Sequence, residues 1–288
     1  MNIELVIKEL KQNKIIQTKI TKYEKLTGGT VSELYLLHDS DENKYVVKAN
    51  EPFFLKLETD FLTCYKDLNM IPNLIFVEPN YQYITYSYLC GTTNKAEVNK
   101  QNILQTLVKK VINNYKNVPS DIVGFGYTDE LTSSWKAFLL NEIVETNNIL
   151  KSHMLNEEYD FVLKVCESLN NHESERKRFL IHGDCGVHNF IFNDNHLVGV
   201  IDPTPMIGYP LYDLIYAFCS TPDDLTKETL DAAVSTLTIK SEKTYPYLYE
   251  ELIIGLYLRL GACIKHHPSD FDEYQKAWHY WKKVINYL

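Results

Sequence analysis

The chain has 288 residues, enough for one large domain or two smaller ones, and its 45% hydrophobic and 23% charged composition is ordinary for a globular protein. A formal net charge of -9 argues against a nucleic-acid partner, no apolar run reaches membrane-spanning length, and residues 1–14 lack the layout of a signal peptide. Six scattered cysteines without a Cys-x-x-Cys pair read as thiols of a reducing, cytoplasmic setting, not as a disulfide frame.

In chain order, Ile3, Val6, Ile7 and Leu10 recur at helical spacing and predict a helix over residues 3–14. Strands are predicted over 19–26, 31–38 and 44–49, each alternating or β-branched and bounded by Gly-Gly or Asp-rich turns. Between the first two lies Thr27-Gly28-Gly29-Thr30-Val31-Ser32. Glycines there let backbone N–H groups approach a phosphate closely, with Thr30 or Ser32 adding a hydroxyl, although the same pattern also makes a plain hairpin turn. A helix over 52–68 has Phe54, Leu57, Phe61, Leu62 and Tyr65 as its apolar stripe, and strands over 74–77 and 83–89 flank the turn Glu78-Pro79-Asn80. After Gly91 the pattern turns helical, over 98–115, 131–150 and 159–169, with a loop over 117–130 that holds Pro119, Gly124 and Gly126. Further helices are predicted over 225–237, 247–265 and 271–288. With no repeat and no flexible linker, the shift near Gly91 divides one cooperative unit into residues 1–90 and 91–288.

Residues 179–213 carry the chemistry. Phe179-Leu180-Ile181 is a short strand ending on His182-Gly183-Asp184; Asn189 precedes a second strand, Phe190-Ile191-Phe192; a turn at Asn193-Asp194-Asn195 leads to a third, 197–201, ending on Asp202-Pro203. A hairpin therefore brings Asp184, Asn189 and Asp202 together near the ends of rigid elements. Two carboxylates and an amide form an oxygen-rich set suited to a hard cation such as Mg²⁺. Phosphoryl transfer needs that set: one carboxylate for the attacking hydroxyl, an Asn and an Asp for the metal. His182 suits a hydrogen bond that holds this turn better than a transition-metal site shared with Asp184 and His188.

The order His-Gly-Asp, Asn, Ile-Asp resembles the catalytic core of the aminoglycoside phosphotransferase and choline kinase group, which shares the protein-kinase fold. The resemblance implies an α+β, two-lobed architecture: a small lobe of five antiparallel strands and one helix over residues 1–90, and a larger, mainly helical lobe over 91–288. It implies Asp184 as catalytic base supported by His182, Asn189 and Asp202 as Mg²⁺ ligands, and Asp213 as a brace for the catalytic loop. Lys48, on the third strand, falls where the kinase lysine grips the α- and β-phosphates of ATP. Glu58 falls where the family's helix glutamate pairs with that lysine, with Glu51 as the rival. Gly28, Gly29, Thr30 and Ser32 would cover the phosphates, and the backbone of Ser87 and Tyr88, in the connector between lobes, would meet the adenine edge. The implied activity is ATP-dependent phosphorylation of a hydroxyl on a small acceptor, aminoglycoside-like or an amino alcohol, with GTP open as donor. The alternative is a catalytically silent nucleotide- or ligand-binding protein on the same fold, against which intact Lys48, Asp184, Asn189 and Asp202 argue.

For the acceptor, the acidic side chains in reach are Asp129, Glu130, Glu142, Glu145, Asp223, Asp224 and Asp272, each of which could equally be solvated helix surface. Many aminoglycoside-phosphorylating relatives carry an acidic residue in the catalytic loop at the position of Val187, which cannot attract an ammonium group. The 21 tyrosines are many for this length and could line a pocket or stack on a cation.

Overall fold

Side-chain alternation sets the first layer. In β2 (Glu33–Asp39) and β3 (Lys44–Ala49), Leu36 and Val46 join the main core on one face of the sheet, while Leu37 and Val47 join a smaller cluster on the other. Lys48, two residues after Val46, therefore points to the main-core side. With β1 (Ile20–Lys25), β4 (Leu74–Val77) and β5 (Ile84–Ser87) these strands form a five-stranded sheet of order β1-β2-β3-β5-β4, antiparallel throughout. The outer face is covered by α1 (Ile3–Gln12) through Ile3, Val6 and Leu10, and the Asn2 side chain caps that helix by accepting from the N–H groups of Glu4 and Leu5. The inner face receives α2 (Pro52–Cys64), started by Pro52 at its first turn and buried through Leu55, Phe61 and Leu62.

The chain is described here by a computed structural model for residues 1–26, 32–93, 99–169, 177–239 and 247–286. The glycine turn with Gly28, Gly29, Thr30 and Val31 lies outside the described residues, as do the expected helix start at Val98 and the final residues of the helix expected to end at Leu288.

Past the connector, Thr92 and Phe192 exchange backbone hydrogen bonds of 2.9 and 2.8 Å, which tie the end of the sheet region to the hairpin that follows Asn189. That hairpin pairs β8 (Phe190–Asn193) with β9 (His196–Val200) through a turn in which Asp194 and Asn195 both have positive φ, +47° and +61°. Asn and Asp tolerate that left-handed conformation, and it matches the twist of the flanking strands. A small sheet of β6 (Gly126–Tyr127), β10 (Met206–Gly208) and β7 (Phe179–Ile181) lies beside it, and the two-residue β6 and three-residue β10 have no sequence signal of their own.

The helices are α3 (Lys100–Lys110), α4 (Trp135–Leu150), α5 (Asn156–Ser168), α6 (Pro210–Cys219), α7 (Lys227–Val234), α8 (Tyr247–His266) and α9 (Phe271–Asn286). The helix expected over 98–115 breaks after Lys110 into a short 3₁₀ turn, Ile112–Asn114, and α4 starts at Trp135, after the Ser134 cap and four residues after the expected start at Leu131. Helix α6 was absent from the expected elements for a physical reason. It is ten residues long and buried nearly all round, with Tyr212 and Tyr216 as its half-buried residues, and it contains no charged group other than the buried Asp213. The main core runs from the inner face of the sheet through α2 into these helices, with Trp135, Trp278 and Trp281 among its fully buried side chains. The fold is α+β.

Candidate active site

Two local constraints place the His-Gly-Asp stretch. Gly183 has φ +80°, and a Cβ there would run into the Thr204 carbonyl, so the His-Gly-Asp turn requires glycine. Asp213, fully buried in the first turn of α6, then holds the turn: its Oδ2 accepts from the His182 N–H at 2.8 Å and the Tyr115 hydroxyl at 2.6 Å, and its Oδ1 from the Gly183 N–H at 3.0 Å. His182 is buried too, stacked edge-on against Phe61. Burial pushes its imidazole below the ordinary range against the pull of the nearby carboxylates, so the ring is neutral and donates from Nε2 to the Ile201 carbonyl at 3.0 Å. It ties the turn before Asp184 to the strand that leads into Asp202.

Asp184 is held on both oxygens. Its Oδ1 accepts from the Tyr216 hydroxyl at 2.6 Å; its Oδ2 accepts from Asn189 Nδ2 at 2.9 Å and lies 3.2 Å from His188 Nε2. Burial alone would push this carboxyl up, but His188 and Tyr216 outweigh it and hold it below the ordinary carboxylate value. Asn189 also donates from Nδ2 to the Asp184 backbone carbonyl at 2.9 Å, which fixes its amide orientation and leaves Oδ1 without a hydrogen bond among the described residues.

Across the cleft, Lys48 Nζ lies 2.7 Å from Glu58 Oε2 and 3.0 Å from Asp202 Oδ1. Glu58 is buried on the α2 face that meets the sheet, whereas Glu51 sits exposed at the start of α2 and makes no bond to Lys48. Burial would push the Lys48 ammonium down, but the Glu58 and Asp202 carboxylates outweigh it and keep the lysine above its ordinary pKa. Asp202 has φ +55°, a left-handed conformation unusual outside glycine, and this aims its carboxylate back toward β3. Among the described residues no cluster of three or more His, Cys, Asp or Glu side chains could hold a metal ion. The uncommitted oxygens of Asn189 and Asp202 fit a Mg²⁺ ion, which takes few protein ligands and fills its octahedron with phosphate and water.

The remaining candidates divide. Ser32 is described, and its Oγ accepts from Asn50 Nδ2 at 3.0 Å. The N–H groups of Ser87 and Tyr88 are engaged within the protein, donating to the Asn73 and Lys44 carbonyls at 2.9 and 3.2 Å. The first connector N–H without a partner among the described residues is that of Leu89.

A cavity of about 270 Å³ opens between α4, α6 and α8 and reaches Tyr216, the residue that touches Asp184. Tyr127, Tyr212 and Tyr216 line the end nearest Asp184, with Trp135 behind them. Of the acidic side chains singled out from sequence, Glu142 and Glu145 line the cavity; Asp129, Glu130, Asp223, Asp224 and Asp272 do not. Burial, then Glu145 and Glu130, push Glu142 up to about 7. Tyr216 and Arg259, which also line the cavity, had no sequence signal, since each sits within a largely apolar helix.

Residues 129–247 match the family model described as the phosphotransferase enzyme family. No curated protein sequence matches the chain. Among solved structures, an aminoglycoside phosphotransferase with ADP bound aligns over 96% of this chain and 97% of its own at 16% identity, with a TM-score of 0.59. A macrolide 2'-phosphotransferase from Brachybacterium faecium aligns over the same shares at 12% identity and a TM-score of 0.64. A mutant aminoglycoside phosphotransferase in complex with ADP and hygromycin B aligns over 98% of both chains at 17% identity and a TM-score of 0.58. At these identities the likeness speaks for the fold. The chain thus has the protein-kinase-like fold of the aminoglycoside phosphotransferases, and the segment that carries its His-Gly-Asp turn matches the phosphotransferase enzyme family.

Proposed function

We propose that this protein is an ATP-dependent O-phosphotransferase acting on a small hydroxylated acceptor. The observation that carries the reading is the convergence of Lys48, Asp184, Asn189 and Asp202 on one cleft, with a cavity ending at the tyrosine that binds Asp184. Lys48, steadied by Glu58, would neutralise the α- and β-phosphates, and the connector near Leu89 would receive the base of the nucleotide. Asn189 Oδ1 and the Asp202 carboxylate would hold Mg²⁺, which when bound withdraws charge from the phosphate oxygens. Asp184 orients the acceptor hydroxyl: the oxygen attacks the γ-phosphorus, the bond to the bridging oxygen breaks, ADP leaves, and the hydroxyl proton passes to the Asp184 carboxylate. In this reading residues 1–90 hold most of the nucleotide and residues 91–288 hold the acceptor.

The test is ADP release over a panel of aminoglycosides, amino alcohols and hydroxy amino acids, with ATP and with GTP. Asp184→Ala should lower kcat by about 10² to 10⁴, the usual contribution of a positioned base, while nucleotide affinity stays within about twofold. Wild-type turnover in that variant would remove Asp184 from the chemistry. Nucleotide binding without any turnover, unchanged by Asp202→Ala, would instead favour a silent ligand-binding protein.

A further inference from the structure

Two opposite charges face the acceptor cavity without a protein counter-charge. Glu142, on the α4 wall, is half-buried and has no hydrogen bond or ion pair among the described residues. Arg259, on the α8 wall, donates from Nε to the Tyr274 hydroxyl at 2.9 Å and from Nη2 to the Ser220 carbonyl at 3.0 Å, and no carboxylate lies within ion-pair reach among the described residues. Both of its acceptors are neutral. Of the other charged groups in the lining, Glu145 on α4 and Lys265 and His266 on α8 are exposed, and Glu251 on α8 has an interaction of its own.

Partly desolvated charges are normally paired within the protein, because leaving them alone is costly. Here a carboxyl group and a guanidinium border one cavity and do not meet. Burial already pushes Glu142 up to about 7, and a bound ammonium would draw it back into the ionised range. Ser220 places Arg259 beside the catalytic turn, since the Ser220 hydroxyl that accepts from the Val187 N–H belongs to the residue whose carbonyl Arg259 grips. The guanidinium therefore lies close enough to the phosphoryl-transfer centre to act on Tyr216 electrostatically. Val187, apolar, leaves the loop itself without a charge for the acceptor.

Resting on the phosphotransferase reading, we infer that the acceptor is a zwitterion: a small hydroxylated molecule whose ammonium is held by Glu142 and whose carboxylate or other anionic group is held by Arg259. The cavity volume suits a molecule of one ring or a short chain, and a polycation would meet Arg259 as a like charge.

The test uses two matched probe series on the intact chain, one on a short chain (3-amino-1-propanol, 4-hydroxybutyrate, L-homoserine) and one on a hexose ring (glucosamine, glucuronate, 2-amino-2-deoxyglucuronate). ADP release is read with ATP and Mg²⁺, and binding of each probe by calorimetry with a non-hydrolysable ATP analogue present. In at least one series the zwitterion should exceed both singly charged members by tenfold or more in kcat/KM. Glu142→Gln should erase its advantage over the acid, and Arg259→Gln its advantage over the amine, with Arg259→Lys restoring part of the latter. The wild-type arm needs no variant, so an unfolded Arg259→Gln leaves the test intact. Turnover of the amine equal to that of the zwitterion in both series would overturn the inference and leave the phosphotransferase reading standing. Selective binding of a zwitterion without ADP release would support the inference and overturn the phosphotransferase reading.

Discussion

As the proposed base, Asp184 would serve only while its carboxylate is ionised and aimed, and part of both properties comes from Tyr216, which lies outside its motif. The Tyr216 hydroxyl reaches Oδ1 at 2.6 Å and, with His188, holds the carboxyl low against the effect of burial. Tyr216→Phe removes one of the groups that lower the Asp184 pKa, so the pKa rises and more of the carboxyl is protonated at a given acidic pH. The acid limb of kcat/KM should therefore move to higher pH. At pH 8, where the carboxylate is still ionised, kcat should fall about tenfold, from the loss of one hydrogen bond to a charged group. An unshifted acid limb with a lowered kcat would mean that Tyr216 only shapes the cavity. Much of this site was legible in the chain because Asp184, Asn189 and Asp202 must lie within one hairpin, and that closeness in space is also closeness in sequence. Lys48 and Glu58 were legible only through the resemblance. Tyr216 and Arg259 were not legible at all, because each sits within a largely apolar helix with no motif around it.

At the scale of elements, sequence periodicity found the longer helices and the alternating strands, and it missed α6, a ten-residue helix buried nearly all round apart from Tyr212 and Tyr216. Helix α8 shows what such packing demands. A Cβ on Gly261 would come within 2.7 Å of the Thr146 methyl carbon on α4, and one on Gly255 would strike Ile215 on α6. Helix propensity alone favours alanine over glycine by about 1 kcal/mol, so glycine at these two positions reflects close approach of neighbouring helices. Gly261→Ala should therefore destabilise the protein by about 1–3 kcal/mol, the usual cost of overpacking, despite the gain in propensity. Adding Thr146→Ser removes the methyl group that is struck and should recover most of the loss. Denaturant midpoints of the two single variants and the double variant check this. A stabilised Gly261→Ala would show that α4 and α8 can separate freely, and the cavity between them would then have no fixed width.

Across the whole molecule, the sheet and the helical part are joined by a shared core, by the Thr92–Phe192 bridge and by the ion pairs of Lys48. The last of these spans the cleft that a nucleotide would enter. Lys48 is 7% exposed and keeps Glu58 as partner if Asp202 is removed, so Asp202→Ala should leave the unliganded protein close to wild-type stability. A partly exposed pair of this kind contributes little by itself. The liganded protein should respond differently. Saturation at 100 times the dissociation constant stabilises a protein by about 2.7 kcal/mol, and here that gain should need Mg²⁺ if Asp202 and Asn189 bridge the metal to the phosphates. Melting temperatures measured with a non-hydrolysable ATP analogue, with and without Mg²⁺, should differ by several degrees in the wild type and not at all in Asp202→Ala. Lys48→Met makes the complementary case: it leaves the buried Glu58 carboxylate facing Asp202 with no cation, so the unliganded protein itself should melt earlier. If Asp202→Ala kept the full Mg²⁺-dependent gain, the metal would have to sit elsewhere, and the left-handed strain at Asp202 would serve only to hold Lys48.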